Sequence, residues 1–296
     1  MKYGILFLII FLACETSDEK KFFSHPLSFF VLDEQENSCE EIIFQGMGTF
    51  WRVFYCADKK SVQKELLESS FIELVSSYDE AFSTWSDESE LKKLEKNGFF
   101  GKVTSSAFFL KVLKIAKNYF ELTSGVFDVT LGTGDLKELK IDKDFFCFLK
   151  YPPLKLDFNG FVKGFAAASI AKLLEKSGIK AFYVNAGNGN LVYKVPLQFE
   201  KQFFLGESFF QEGRDKVYFL SKSSSVQSHK GKTHQHIQDT REARAFYKEA
   251  QVICVGKISD LEGWEWLGGL SDAFSTALTI KDSLVLPEVC FLNLKY

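Results

Sequence analysis

The chain has 296 residues, of which 46% are hydrophobic and 25% charged, and this ordinary globular composition excludes whole-chain disorder, collagen and coiled coil. Its 36 Lys and Arg nearly balance 39 Asp and Glu, for a net charge of −3, so we expect no nucleic-acid partner, because phosphate neutralisation needs clustered basic residues in excess. The length predicts about two domains or one large one.

The first 20 residues have the pattern of a secretion signal. One basic residue, Lys2, precedes an apolar run over 4–13, which is too short to span a bilayer because spanning needs about 20 apolar residues. Ala13 stands directly before Cys14, and a polar stretch follows. This order resembles a bacterial lipoprotein signal, so we expect Cys14 to be lipidated. A signal peptide without lipidation is the alternative.

Three segments follow from this interpretation: a signal peptide over 1–13, a lipidated tether over 14–40 and a folded domain over 41–296. We expect the mature chain on the periplasmic side of the bacterial cell envelope, anchored to a membrane by its lipid. The five cysteines after Cys14 are scattered without the C-x-x-C spacing of a metal site. They allow one disulfide, whose partners the sequence does not assign.

Apolar spacing predicts strands and helices in an irregular order. Strands are expected over 42–44, 50–54, 154–158 and 181–184, and helices over 61–85, 106–122, 162–177 and from about 271. The strand–helix–strand unit over 154–184 favours a βαβ crossover. Because strands and helices do not alternate strictly, we expect an α+β fold, a single body with mixed sheets flanked by helices.

The segment from Asp157 to Gly164 has the pattern of an anion-binding corner. A predicted strand ends in an acid, the chain turns at Gly160, and a helix opens with Lys163 in its first turn. The free N–H groups and positive end of a helix favour an anion such as a phosphate, and the lysine adds a full charge. A plain strand–turn–helix corner with a solvated lysine is the alternative.

Asp272 and Thr276 stand four residues apart on the last predicted helix, so they share one face. A carboxylate and a hydroxyl are hard oxygen ligands, which suit Mg²⁺ or Ca²⁺ rather than zinc. The alternative is an ordinary acid near a helix start with a surface threonine one turn later.

Two further segments are candidates for function. Three of the four histidines lie between residues 229 and 236, and histidine is the usual general base near neutral pH. A surface histidine pair or a transition-metal pair would have the same pattern. Trp85 follows the first long helix in a hydroxyl-rich run, where it either stacks on an aromatic ligand or marks a helix end before a serine cap.

The order of the motifs along the chain is more specific than any one of them. The motifs are Met47–Thr49, Phe82–Ser86 with Ser89–Leu91, Thr123–Thr130, Leu156–Asp157 with Gly160 and Lys163–Gly164, Asn185–Gly187, His236–Ile237 with Asp239 and Arg241, and Ser271–Ala277. Together they resemble the ApbE family of flavin transferases (FAD:protein FMN transferases) over about residues 44–280. Members of that family are often bacterial lipoproteins, which agrees with Cys14.

The resemblance implies an enzyme that transfers the FMN half of FAD to a threonine hydroxyl of a target flavoprotein, releases AMP and requires Mg²⁺. The implied Mg²⁺ ligands are the side chains of Asp272 and Thr276 and the backbone oxygen of Gly160. The family's FAD contacts map to Met47, Trp85, Val126, Phe127, Asp128, Asp157 and Lys163. His236 matches the proposed base for the incoming threonine, and Lys163 would neutralise the pyrophosphate.

Four stretches depart from the family pattern. Phe158–Asn159 replaces a more typical Leu-Gly, and Leu131–Asp135 replaces the usual Pro-Leu continuation after Thr130. The run Gly187–Asn190 replaces the usual second glycine and acid after Asn-x-Gly, and the loop over 239–243 lacks the usual proline and glycine. The metal pair and Lys163 are retained. Two other functions stay open: hydrolysis of FAD to FMN and AMP with water as the acceptor, and a catalytically inactive flavin-binding lipoprotein.

Overall fold

The structure is a computed structural model that describes residues 37–58, 63–99, 101–148, 154–179, 181–187, 189–194, 216–224, 226–229, 232–235, 249–281 and 283–292. The predicted signal peptide, Cys14, His236 and the loop over 239–243 lie outside the described residues. None of the described helices is long and apolar enough to cross a membrane.

Helices and strands follow one another without regular alternation. The described helices are α1 (Lys64–Phe82), α2 (Glu90–Asn97), α3 (Ala107–Leu122), α4 (Val162–Lys176) and α5 (Trp264–Leu278). The strands are β1 (Asn37–Gly46), β2 (Thr49–Asp58), β3 (Val103–Thr104), β4 (Leu139–Ile141), β5 (Phe145–Phe148), β6 (Ala181–Ala186), β7 (Asn190–Lys194), β8 (Lys216–Ser224), β9 (Val226–His229), β10 (Lys232–Gln235), β11 (Glu249–Lys257) and β12 (Cys290–Leu292).

The main sheet has seven strands in the order β1-β2-β6-β7-β8-β11-β12, and every described strand pair is antiparallel. Two small sheets accompany it, one of three strands (β3-β5-β4) and one of two (β10-β9). Helices α1, α4 and α5 pack on one face of the main sheet, where buried side chains such as Trp51, Val184 and Phe219 form the core with them. The α+β prediction is confirmed.

The predicted βαβ crossover is wrong, because residues 154–158 do not form a strand. Their hydrogen bonds go to a neighbouring loop instead of a sheet: Lys155 N donates to Thr133 Oγ1 at 2.9 Å, and Asp157 N donates to Val129 O at 2.7 Å. Apolar alternation in this segment therefore reflects its burial beside a loop. Helix α4 leads instead into β6, which pairs antiparallel with both of its neighbours.

The last helix begins at Trp264, seven residues before its predicted start. The glycine pair Gly268–Gly269 breaks the apolar pattern but not the helix. A Cβ atom on Gly268 would overlap the carbonyl oxygen of Gly164 in α4, and a Cβ on Gly164 would overlap that of Gly268. Gly164 and Gly268 therefore allow the backbones of α4 and α5 to approach too closely for any side chain between them.

Two disulfides join the outermost strands of the main sheet to their neighbours. Cys39 on β1 bonds to Cys56 on β2, and Cys254 on β11 bonds to Cys290 on β12. The members of each pair stand directly opposite in the antiparallel register, which the sequence alone could not reveal. The expectation of one disulfide is thus too low, and Cys147 is the free thiol among the described residues.

Candidate active site

One end of the main sheet collects several of the motif segments. Across the sheet, Trp51 stands opposite Ala186, Ala186 opposite Asn190, and Asn190 opposite Ser221. The turn at Met47–Gly48 that joins β1 to β2 lies just beyond this row. The segments around residues 47, 187 and 221 are therefore neighbours in space, because they lie in or near one row across the strands, at the same end of the sheet.

Asp272 is the residue on which the helices and strands of this end converge. Its side chain is buried, with 5% of the residue exposed. Oδ2 accepts a hydrogen bond from the backbone N–H of Gly164 at 3.1 Å, and Oδ1 accepts one from Ser221 Oγ at 2.9 Å. The side chain of Asn190 also hydrogen-bonds to this carboxyl. The carboxylate of α5 is thus held by α4, β7 and β8.

Burial destabilises the negative charge on the carboxylate of Asp272 more than its neighbours stabilise it. Burial raises the pKa of its carboxyl from the usual 3.8 to about 6, although the charge of Lys163 and the hydrogen bonds from Gly164, Ser221 and Asn190 act in the opposite direction. Desolvation destabilises the ionised form of the carboxyl. A cation bound beside Asp272 would stabilise that form in place of the lost hydration.

Thr276 lies one turn after Asp272 and reaches the turn before α4. Its Oγ1 donates a hydrogen bond to the carbonyl oxygen of Gly160 at 3.3 Å. Ser223 Oγ lies 3.2 Å from Thr276 Oγ1 and 2.7 Å from Ser275 Oγ. A Cβ on Gly160 would lie 2.9 Å from the Phe127 ring, so glycine lets this ring pack against the turn.

The oxygens of Asp272, Thr276 and Gly160 fit a magnesium ion by their chemistry. All three are hard donors, and the 3.3 Å between the threonine and carbonyl oxygens is close to the edge of an octahedron of 2.1 Å bonds, about 3.0 Å. The described residues contain no cluster of three or more His, Cys, Asp or Glu, so a site with the ligands of zinc is not formed by them. The ligation itself stays a prediction.

The predicted anion-binding corner is changed in one respect. Lys163 does stand in the first turn of α4, half-buried, and its charge acts on Asp272. The N–H of Gly164, however, is already bonded to Asp272. One N–H group at the start of this helix therefore orients the Asp272 carboxylate. The positive charge available to an anion at this turn is that of Lys163.

The Asp157 turn and the Trp85 turn contact one another. Asp157 Oδ1 accepts a hydrogen bond from Asn159 N at 2.8 Å, and Asn159 Nδ2 donates to Thr84 Oγ1 at 3.3 Å. Trp85 is 93% exposed, which is unusual for the largest apolar side chain. An exposed indole beside the Gly160–Lys163 turn is available for stacking on a planar ligand.

The loop after α3 packs against the turn that contains Gly160. Phe127 is buried and its ring contacts Gly160 and Phe161. Asp128 Oδ1 accepts hydrogen bonds from Thr130 N at 2.9 Å and Thr130 Oγ1 at 2.8 Å, so this carboxylate shapes the loop. Val126 is partly buried against the core. Their predicted contacts with FAD are not tested by these interactions.

Met47 occupies the turn between β1 and β2 with a positive φ of 50°, and Gly48 follows at 68°. The backbone N–H of Met47 donates to Asp79 Oδ2 on α1 at 2.7 Å, which fixes the turn at this end of the sheet. Asp79 was not among the predicted residues, because only the fold brings α1 to the hairpin.

Sequence reasoning also missed the polar side chains around Asp272. Ser221 and Ser223 lie two apart on one face of β8, and Ser221 and Ser275 are fully buried. Ser275 Oγ donates to Ser221 Oγ at 3.0 Å, which joins the strand to α5. The serine run at the end of β8 was the available signal, and Asn190 was noted only as part of a departure from a motif.

Known proteins with a similar sequence pattern or fold belong to one family. The sequence profile of the ApbE family matches residues 47–134 and 133–201. The flavinyl transferase ApbE of Pseudomonas stutzeri, in its apo form, superposes with a TM-score of 0.65 at 17% identity, over 84% of this chain and 86% of that one. The flavin transferase ApbE of Vibrio cholerae gives 0.63 at 17%, over 82% and 87%.

The ApbE protein of Thermotoga maritima gives a TM-score of 0.60 at 17% identity, over 83% of this chain and 88% of that one. No curated protein sequence matches significantly. At such low identity these likenesses concern the fold, and the family is shown by the profile, whose matches together span more than half of the 296 residues. The chain belongs to the ApbE family of flavin transferases, as the order of its motifs predicts.

Proposed function

We propose that this protein transfers FMN from FAD to a threonine hydroxyl of a target flavoprotein, with release of AMP and a requirement for Mg²⁺. The observation that carries the proposal is the convergence of Asp272, Thr276, Gly160 and Lys163 at one end of the sheet in a chain of the ApbE family. These groups come from two segments more than 100 residues apart, and their types suit a metal-bound pyrophosphate.

Asp272, Thr276 and the carbonyl of Gly160 would hold the ion, which when bound supplies positive charge to the oxygens of the pyrophosphate. Lys163 adds a fixed charge at the same place and stabilises the charge that develops on the departing AMP. The hydrogen bonds from Gly164 and Ser221 keep the Asp272 carboxylate in one orientation.

The transfer exchanges one P–O bond for another. The acceptor threonine oxygen bonds to the phosphorus of the FMN half, and the bond from that phosphorus to the AMP phosphate oxygen breaks. On the family resemblance, His236 takes the hydroxyl proton. Trp85 would stack on one of the two ring systems of FAD, which its exposure permits.

We also propose that Cys14 is lipidated after removal of residues 1–13 and that the protein works on the periplasmic side of the envelope. The support is the signal-like N-terminal pattern together with the two disulfides. Disulfides persist in oxidising compartments and are rare in the cytosol. Metabolic labelling with a radioactive fatty acid, compared between the native chain and Cys14→Ser, tests the anchor.

The acceptor decides between the three functions that stay open. Purified protein is incubated with FAD and Mg²⁺, with and without a flavoprotein domain that carries a candidate threonine, and AMP release is measured. AMP that appears only with the acceptor, together with a covalently fluorescent acceptor, supports the transferase. AMP in both tubes supports FAD hydrolysis. FAD that binds without any AMP release supports an inactive binding protein.

A further inference from the structure

Asn190 begins β7 beside Asp272, and one of its polar atoms has no partner among the described residues. The residue is 4% exposed. Its side chain hydrogen-bonds to the Asp272 carboxyl, whereas its Oδ1 is fully buried without a hydrogen bond. Because an ionised carboxylate only accepts, the amide NH₂ faces Asp272, and the amide oxygen is the atom that remains.

A buried acceptor without a donor is energetically costly because its hydration is lost, so its presence calls for a compensating role. Packing does not supply one. Asn190 lies on the same face of β7 as Val192, an apolar residue in the core beneath α4 and α5, and an apolar side chain at 190 would fill the same space. Its neighbour across the register, Ser221, also bonds to Asp272.

Among the described residues, the side chain of Asn190 has a hydrogen bond to Asp272 alone, and its oxygen is open to a group from outside them. An amide oxygen is a hard donor of the kind that Mg²⁺ and its water ligands accept. The run Gly187–Asn190 also departs from the family pattern by lacking the usual acid. A neutral oxygen therefore stands beside Asp272 at the candidate cation site, where the family pattern has an acid.

We propose that Asn190 is a further residue of the cation site, with its Nδ2 fixing the Asp272 carboxylate and its Oδ1 facing the hydrated ion. The inference rests on the proposed function, because it uses the same cation. It goes beyond the proposed function in two ways: β7 contributes a residue that faces the ion, and the charge of residue 190 sets the affinity for the cation. Fewer charged ligands mean weaker binding, so this site is weaker than one with an acid there.

The test measures Mn²⁺ binding to the purified full-length protein by electron paramagnetic resonance at pH 8, in the absence of FAD. We expect Asn190→Ala to weaken binding about tenfold, because an oxygen that faces the ion is lost, and Asn190→Asp to tighten it by a similar factor, because a negative charge is added. A tenfold change in affinity corresponds to about 1.4 kcal/mol. Asn185→Asp is the matched control. It adds the same charge on the opposite face of the sheet, where Asn185 Nδ2 donates to Tyr183 Oη at 3.0 Å, and it should leave the affinity unchanged.

The outcomes separate this inference from the proposed function. Affinities of both Asn190 variants equal to that of the native chain, with binding abolished in Asp272→Ala, would overturn the role of Asn190 and leave the cation site standing. Equal tightening in Asn190→Asp and Asn185→Asp would also overturn it, because a general charge effect would explain both. Native protein that binds no Mn²⁺, or binding that survives Asp272→Ala, would overturn the site itself. If Asn190→Ala does not fold, the comparison of the two Asp variants decides.

Discussion

The backbone N–H of Gly164 donates a hydrogen bond to Asp272 Oδ2 at 3.1 Å, across 108 residues of sequence. The contact exists because Gly164 and Gly268 let α4 and α5 cross with their backbones touching. A residue of the predicted anion-binding turn is thereby bonded to the predicted metal ligand. The close helix crossing therefore also positions the carboxylate of the candidate site.

Gly164→Ala should therefore damage both stability and cation binding. The added Cβ would overlap the Gly268 carbonyl and lie 2.9 Å from Asp272 Cβ, so the helices must separate. We expect a loss of about 1–3 kcal/mol in the free energy of unfolding and weaker Mn²⁺ binding. Urea denaturation and metal titration measure the two effects, with the exposed Ser69→Ala on α1 as the control. Native stability together with native metal affinity would contradict the close crossing.

The pH dependence of stability reports on the buried carboxylate. Burial raises the pKa of Asp272 to about 6 in the folded protein, against the usual 3.8 when unfolded. Between these values the folded chain holds the extra proton, so its free energy of unfolding falls as pH rises from about 4 to 6. Two pH units correspond to about 3 kcal/mol, and above pH 6 no further loss is expected.

Asp272→Asn removes this titration and retains the size of the side chain, although only one of its two acceptor oxygens remains. In chelator-treated samples, the difference in unfolding free energy between the native chain and Asp272→Asn should move in favour of the variant as pH rises through this window. Denaturation at a series of pH values measures it. A difference that is constant from pH 4 to pH 7 would show that Asp272 titrates normally.

Trp85→Ala should affect ligand binding without affecting folding. The indole is 93% exposed, so its removal should change the free energy of unfolding by less than about 0.5 kcal/mol. Loss of a stacking surface should weaken FAD binding about tenfold. Quenching of flavin fluorescence measures the affinity, with exposed Leu66→Ala on α1 as the control. Unchanged affinity in Trp85→Ala would remove Trp85 from the site.

The two disulfides predict a defined peptide map. Digestion without reductant should release cross-linked peptides that contain Cys39 with Cys56 and Cys254 with Cys290, while Cys147 reacts with a thiol reagent after unfolding. Reduction should lower the free energy of unfolding by about 2–4 kcal/mol for each bridge. Mass spectrometry identifies the pairs. Any other pairing would contradict the register of the outer strands.

Local signals predicted those parts of the fold that local physics determines. Helix α3 begins after Ser106, whose Oγ accepts from Phe109 N at 3.1 Å, and the turn that ends it uses Gly125 at a φ of 79°. Both features follow from capping and left-handed glycine conformation and were visible in the sequence. The strands on either side of Met47–Gly48 were predicted from their apolar pattern, which is also a local signal.

The errors fell where distant contacts decide the structure. Residues 154–158 were predicted as a strand but bond to the loop after α3, and the last helix was predicted to begin near 271 but includes Gly268 at its crossing with α4. Asn190 and Ser221 meet only because β7 and β8 pair in one register. The motif order predicted the metal pair and Lys163 together, whereas the polar groups around them required the sheet.

In the proposed function, the oxygens around Asp272 hold the cation that cleavage of FAD requires. The most direct measurement is AMP release from FAD, with an acceptor flavoprotein present, by the native chain, Asp272→Ala and the exposed-loop control Asp135→Ala, each with Mg²⁺ and with chelator. We expect native and Asp135→Ala rates to be equal and magnesium-dependent, and the Asp272→Ala rate to be lower by about a hundredfold or more. A native rate in Asp272→Ala would show that Asp272 does not hold a cation that the reaction needs.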